Sequence, residues 1–281
     1  MDPRTLWEAV ERYHQSCYHA PEVREAATAV GLKGFWMNYF ATRAAPMGPV
    51  RAEVVESLFF YFAPHRVRRA IPDAWGFATP EEILRARFDG VRSSLHRQLG
   101  GAHDTEVEAA LAVVRAAVAA ADTTGRPLAA AWRAIPEPDD SRTALWHGCT
   151  VLRELRSGNH LTALVAAGLD GCESIISHVA VDEAQIAWIE AEAGWTAADA
   201  SAAADRLRRR DWIDERSAAT ERGRRGRADI ETMTDELDRP HWEQVGEDAC
   251  VTLLAAMKAL NADLPRDDQL DWQEIYGPNE R

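Results

Sequence analysis

Thr196-Ala197-Ala198-Asp199-Ala200-Ser201 opens one segment of the chain and Leu207-Arg208-Arg209-Arg210 closes it; Asp211-Trp212-Ile213-Asp214 and then Ala219-Thr220-Glu221-Arg222-Gly223-Arg224 follow. These phrases decide the fold. Thr196 has N-cap chemistry, and the residues after it predict a helix over 197–210. Trp212-Ile213-Asp214 is aromatic and β-branched and reads as a short strand. Residues 216–220 read as a turn, and Glu221-Arg222-Gly223-Arg224 leads into a long helix over 225–237 that Pro240 should break. Upstream, 184–192 reads as a short helix, with Gly194-Trp195-Thr196 as the turn between the two helices.

Helix, turn, helix, strand, turn, long helix is the order of a winged helix. Working outward, the remainder is helical. Thr5 and Glu8 stand at capping-box spacing, and Thr79-Pro80-Glu81-Glu82 is a strong helix start. Asp104 should cap a helix whose apolar face runs Val107, Ala110, Leu111, Val114, Ala117, Val118. A helix from Ser141 to Arg156 should be interrupted at Ser157-Gly158-Asn159, and 168–178 should continue with a glycine kink. The expected fold is mainly α: a helical N-terminal domain over 1–135, then over 136–281 a helical connector and a winged helix-turn-helix with a short β-wing.

The 281 residues are ample for a large core without staples, and the formal charge is −13. Four scattered cysteines without a C-x-x-C pair exclude a zinc finger or disulfide scaffold. With no long apolar run and no signal peptide in Met1-Asp2-Pro3-Arg4, the expectation is a cytoplasmic protein without membrane partners. No phosphate-binding loop, G-x-S-x-G, H-E-x-x-H or kinase signature is present. Basic charge is local: nine arginines and four carboxylates lie between Arg206 and Arg227, against one arginine and eight carboxylates from Asp229 to Asp248. The leading, base-facing end of the second helix offers small residues and Asp199, where base readout needs arginine, lysine, asparagine or glutamine. Specific DNA reading is therefore not expected; Arg206–Arg210 should touch phosphate or pair with the acidic stretch 229–236.

Two resemblances sit on these residues. Leu207–Ile213 with Ala219-Thr220-Glu221-Arg222-Gly223-Arg224 resembles the recognition helix and wing of MarR-type regulators, with Ala219 where leucine is usual. Over nearly the whole chain, Gly34-Phe35-Trp36-Met37-Asn38-Tyr39-Phe40-Ala41-Thr42-Arg43 through Val50 is similar to the actinobacterial helix-turn-helix proteins of the SCO-6745-like type. Ala70-Ile71-Pro72-Asp73-Ala74-Trp75, Leu152-Arg153-Glu154 with His160, and Glu231-x-x-Thr234-Asp235 carry the same likeness. The resemblance implies a fold rather than an activity. The chain departs from that pattern at Arg156-Ser157-Gly158-Asn159-His160, where arginine-glycine-aspartate-glycine-histidine is usual, at Tyr61 (usually asparagine) and at His19 (usually phenylalanine). These changes imply a specialised ligand.

The candidate site follows from polar groups beside aromatic ones. Arg43 ends an aromatic helix after Trp36, Tyr39 and Phe40, and arginine among rings can clamp a carboxylate or stack on a flat molecule. Arg153, Glu154, Arg156 and His160 are the densest polar cluster, with 153, 156 and 160 on one helical face. The expected catalytic set is His160 as proton carrier, Arg43 or Arg153 on developing negative charge, and Glu154 as an orienting group. Trp36, Tyr39, Phe40, Tyr61, His14, Tyr18, His19 and Arg156 are expected to line the pocket. His14 and Cys17 share a face but lack local third and fourth ligands, so no metal is expected; Glu173 and His178 are weaker candidates. The ligand is an aromatic or anionic small molecule, no cofactor is implied, and a homodimer stays open. Three readings stay open: a cofactor-independent acid–base enzyme (cyclase, isomerase, lyase or hydrolase), which the site favours narrowly, a ligand-responsive regulator, and a non-catalytic binding or resistance protein.

Overall fold

A computed structural model describes residues 1–178 and 189–265. Most of the predicted 184–192 helix lies outside the described residues; Ile189–Ala193 forms a single π-helical turn. The described chain is mainly helical. α1 (Pro3–Gln15), α2 (Pro21–Ala29), α3 (Gly34–Ala44), α4 (Ala52–Leu58), α5 (Pro64–Arg68) and α6 (Ala74–Phe77) precede the longer α7 (Pro80–Leu99) and α8 (Asp104–Ala120). α9 (Pro127–Ala134), α10 (Ser141–Ala166) and α11 (Gly171–Ile176) follow, then α12 (Ala197–Arg209), α13 (Glu221–Val245) and α14 (Glu247–Ala262).

Local chemistry sets most boundaries. Asp2, rather than Thr5, caps α1: its carboxylate accepts from the Arg4 and Thr5 amides, and Pro3 takes the first helical position. Thr79 and Glu82 form the capping box expected at α7. His103 occupies the cap of α8 in the left-handed region, and Asp104 pairs with Arg142 at 2.8 Å instead of capping.

The two expected helix breaks do not occur. α10 runs through Ser157-Gly158-Asn159 because the glycine lies against another chain segment: a Cβ on Gly158 would meet Arg126 Cγ at 2.7 Å. The next residue, Asn159, is fully buried, accepts from Arg126 Nε at 2.8 Å and donates to Asp238. α13 likewise passes through Pro240 and ends at Gly246, whose φ is +92°. Pro240 has no N–H to give the ladder, and the helix continues past it one backbone bond short.

The expected β-wing shrinks to one antiparallel bridge, Ile213–Ala219, and no strand forms among the described residues. Asp214 explains why. Its carboxylate accepts from the Arg216 and Ala218 amides, and its own N–H donates to the Ala218 carbonyl, so the turn closes after a single pair. Thr220 then caps α13 by accepting from Gly223, and a Cβ at Gly223 would strike the Trp212 carbonyl at 2.0 Å. The glycine of the wing-to-helix phrase is therefore required by a close approach to backbone.

Two main cores result. The larger joins α1–α3, α7, α8, the first half of α10, Trp242 and α14; Trp132 and Trp146 are among its largest fully buried side chains. The smaller joins Ala163 and Leu164 of α10 with α11, α12, Trp212, Ile213 and Ile230. α10 packs against α1, α7, α8, α9 and α13, so one helix serves both cores.

Candidate functional site

Where the cores meet, α1, α10 and α13 enclose a cleft of ≈ 760 Å³. α1 brings Trp7 and Glu11, the loop after α4 brings Tyr61, α10 brings Arg153, Arg156 and His160, and α13 brings Arg227 and Glu231. The segments 152–160 and 231–235 are far apart in sequence but meet here. The contacts are His160 to Thr234 at 2.9 Å and Arg156 to Asp235 at 2.6 Å.

His160 has a defined tautomer. Thr234 Oγ1 donates to the Ile230 carbonyl at 2.8 Å, so it must accept from His160 Nδ1–H. Nε2 then carries the lone pair. Burial pushes the imidazole down to about 4, Arg227 and Arg156 act in the same direction, and Glu231 opposes them. At neutral pH His160 is an uncharged acceptor, with the Tyr61 ring stacked 6.5 Å away. Burial also lowers His178, whose Nε2 accepts from the Arg227 guanidinium. The same Arg227 nitrogen donates to Glu231 at 2.8 Å, while Arg227 NH1 is buried without a hydrogen-bond partner. One ligand atom from each of His160, His178 and Glu231 lies within 4.8 Å of the others.

Arg153 and Arg156 line the cleft but are already paired. Arg153 reaches Glu154 at 3.0 Å and Glu11 at 3.4 Å. Arg156 reaches Asp235 and, at 3.3 Å, Asp238, and lies over the Trp7 ring at 5.0 Å. Burial raises the Asp238 carboxyl to about 6 against the pull of Arg156.

The other expected site residues lie behind this wall, not in it. Arg43 is 5 % exposed and Glu154 is 2 % exposed. Arg43 grips both Glu154 oxygens, at 2.7 and 2.9 Å, and donates to Tyr39 Oη at 2.6 Å. Its guanidinium also lies over the Phe59 ring at 4.3 Å. Burial pushes the Glu154 carboxyl up, while Arg153 and Arg87 pull it down. Trp36, Tyr39 and Phe40 pack with Phe62, mostly edge to face, as the wall of the larger core. His14 is buried: Thr150 donates to the Trp146 carbonyl and so accepts from His14 Nδ1–H, leaving Nε2 to accept from Tyr18. His19 stacks on Phe35 at 5.7 Å, and Cys17 is buried in the core. Glu173 completes the capping box of α11, whose N-cap is Asp170, by accepting from the Asp170 amide, and also accepts from Arg206 at 3.0 Å.

The structure thus gathers Tyr61, Arg153, Arg156 and His160 of the expected set with the weaker candidate His178, and adds Trp7, Glu11, Arg227 and Glu231. Glu231 and Thr234 carry a readable signal in the phrase Glu231-x-x-Thr234-Asp235. Trp7 and Arg227 carry none.

The outer face of α12 is also fixed. Thr196, Ala197, Ala198, Asp199, Ser201, Ala202 and Asp205 are its exposed leading residues, and Asp199 is held by Thr196. Nothing there can donate a bidentate pair to a base. The trailing arginines do not pair with residues 229–236. Arg206 pairs with Asp170 and Glu173, Arg208 with Asp205, and Arg210 donates to the Ala167 and Gly168 carbonyls. Among the described residues no helix is long and apolar enough to cross a membrane.

No curated protein and no solved structure matches the chain. A family model described as the helix-turn-helix family matches residues 3–270, which include every helix and every cleft residue described above. The chain belongs to this helix-turn-helix family.

Proposed function

We propose that the protein binds a small organic anion with a flat apolar body in the cleft between α1, α10 and α13. The supporting observation is the cleft itself, with its aromatic walls Trp7 and Tyr61, the neutral acceptor His160 and the incompletely bonded guanidinium of Arg227. Concave sites with apolar walls and a few convergent polar groups are where small ligands bind. An anion on Arg227 NH1 would satisfy a buried donor, and His160 Nε2 would accept from a ligand hydroxyl or N–H. Arg153 and Arg156 shape the wall but hold their own carboxylates. The helix-turn-helix unit contributes Arg227 and Glu231 and encloses the cleft; it reads no base sequence.

Acid–base catalysis at His160 is the second reading, favoured by its free Nε2 in a cleft. A base held down at about 4 is far below the value near 7 that serves general-base work at neutral pH. Binding is therefore placed ahead of turnover, and a ligand that charges His160 would be needed to reverse the order.

The test is calorimetric titration of the metal-free protein with aromatic carboxylates and phosphates, beside Arg227→Gln and His160→Gln. One-to-one binding should weaken by about 2 kcal/mol, roughly thirtyfold, in each variant. Unchanged affinity in both folded variants would refute this site.

A further inference from the structure

We propose that His160, His178 and Glu231 form a binding site for a divalent transition-metal ion, whose place the Arg227 guanidinium holds in this structure. The donors come from three places: α10, the turn after α11, and α13. One ligand atom of each lies within 4.8 Å of the others. An ion bonded to nitrogen and oxygen at about 2.0–2.2 Å sets its ligands roughly 3–3.5 Å apart. Closing the set therefore needs side-chain movements of about 1–2 Å, within the reach of rotamer adjustment.

Three observations support a metal here over a chance cluster. First, His160 is oriented as a ligand: Nδ1–H is held by Thr234, which is itself held by the Ile230 carbonyl. A histidine fixed through one nitrogen presents the other as a defined lone pair, the outer-shell arrangement that metal sites use. Second, His178 and Glu231 already direct lone pairs at one positive centre, because one Arg227 nitrogen donates to both. The cluster is a cation site by its own contacts. Third, Arg227 keeps this place through one nitrogen alone, bonded to His178 and Glu231, while its other terminal nitrogen has no hydrogen-bond partner, so its displacement breaks only the bonds that the ion itself would replace. It can move away when a doubly charged ion arrives.

Two imidazoles and one carboxylate suit zinc, cobalt, nickel or ferrous iron better than calcium or magnesium, which prefer oxygen. Three protein ligands beside an open cleft leave a fourth position for water or an outside donor. The surrounding cations Arg4, Arg156 and Arg227 oppose the ion, so Arg227 acts as a competitor for the site.

The inference stands apart from the organic-ligand reading, which is tested without metal. The full chain, stripped with chelator, is titrated with cobalt(II), with ligand-field absorption and metal analysis as readouts. One equivalent should bind and give the bands of a low-coordinate site. His178→Ala and Glu231→Gln should each weaken binding by at least about tenfold, Thr234→Val should weaken it by about tenfold, and Arg227→Gln should tighten it by about tenfold. Absence of bands in both the wild type and Arg227→Gln at ~1 mM cobalt would overturn the proposal. So would binding undiminished in the His178→Ala/Glu231→Gln double variant, which would place cobalt on other histidines, or unchanged affinity in folded Arg227→Gln. If Arg227→Gln melts early, the wild type against the two ligand variants decides alone.

Discussion

Replacing Arg43 separates a structural role from a ligand-binding one. The guanidinium makes three of the hydrogen bonds received by Glu154, at 2.7, 2.9 and 3.1 Å, in a site where both side chains are buried. Arg43→Ala would leave Glu154 hydrogen-bonded to Arg153, with Arg87 acting only at longer range, and would take the donor from Tyr39 Oη. Breaking one side of a buried pair costs about 3–5 kcal/mol, because the remaining charge stays desolvated. For a chain of this size each kcal/mol is worth about 2–4 °C, so melting should fall by roughly 6–20 °C. The double variant Arg43→Met/Glu154→Leu removes both charges at similar volume but leaves Arg153 with Glu11 alone, so it should recover only part of that loss. Melting followed by circular dichroism for the single and double variants is the assay. If Arg43→Ala melts within about 2 °C of wild type, the pair does not hold the fold and Arg43 is free for a ligand.

Acid should destabilise the protein through histidines held neutral. Burial lowers His14, His147, His160, His178 and His241, with His160 and His241 at about 4. A depressed histidine contributes stability above its unfolded value of about 6.5 and loses it as pH falls toward the folded value, on the order of 3 kcal/mol by pH 4 for each of His160 and His241. Asp238, raised to about 6, works in the opposite sense over pH 6 to 4, so it offsets part of the loss. A melting temperature that stays level between pH 7 and 5 would contradict this account. Gly223→Ala should unfold the turn into α13 and cost several degrees, because its Cβ would meet backbone at 2.0 Å, whereas Gly76→Ala, with open space around it, should be neutral or slightly stabilising; equal melting of the two would refute the contact. Band-shift assays with the chain's own upstream DNA should show no specific complex at ~150 mM salt, since α12 offers no base-reading side chain. A nanomolar complex that survives competitor DNA would refute that.

Local signals in the sequence translate well. The Thr79 capping box, the helix after Thr196 and the turn into α13 are each built from residues a few positions apart, and each forms. The sequence misleads where a distant partner changes the outcome. Gly158 reads as a break, yet its missing side chain makes room for Arg126, 32 residues earlier. Arg43 reads as a ligand clamp because rings surround it; its carboxylate partner, Glu154, is 111 residues away. Within the cleft, His160 is legible, but no local spacing relates α10 to α13, so Arg227 and Glu231 do not assemble with it on paper. A charged side chain among aromatics signals burial, but the sequence does not reveal which opposite charge accompanies it.

α10 and α13 have a mechanical consequence. The smaller core begins at the end of α10 and finishes at Ile230 on α13, while Trp242 and α14 return the chain to the larger core. Among the described residues the smaller core is thus joined to the larger by two continuous helices, α10 and α13. A unit on a single linker can swing as a hinge, whereas one carried on two helices can only slide or tilt with them, by an ångström or two. The cleft lies between those same two helices. Whatever fills it would sit as a wedge in the joint between the two cores, where α13 lies along α10.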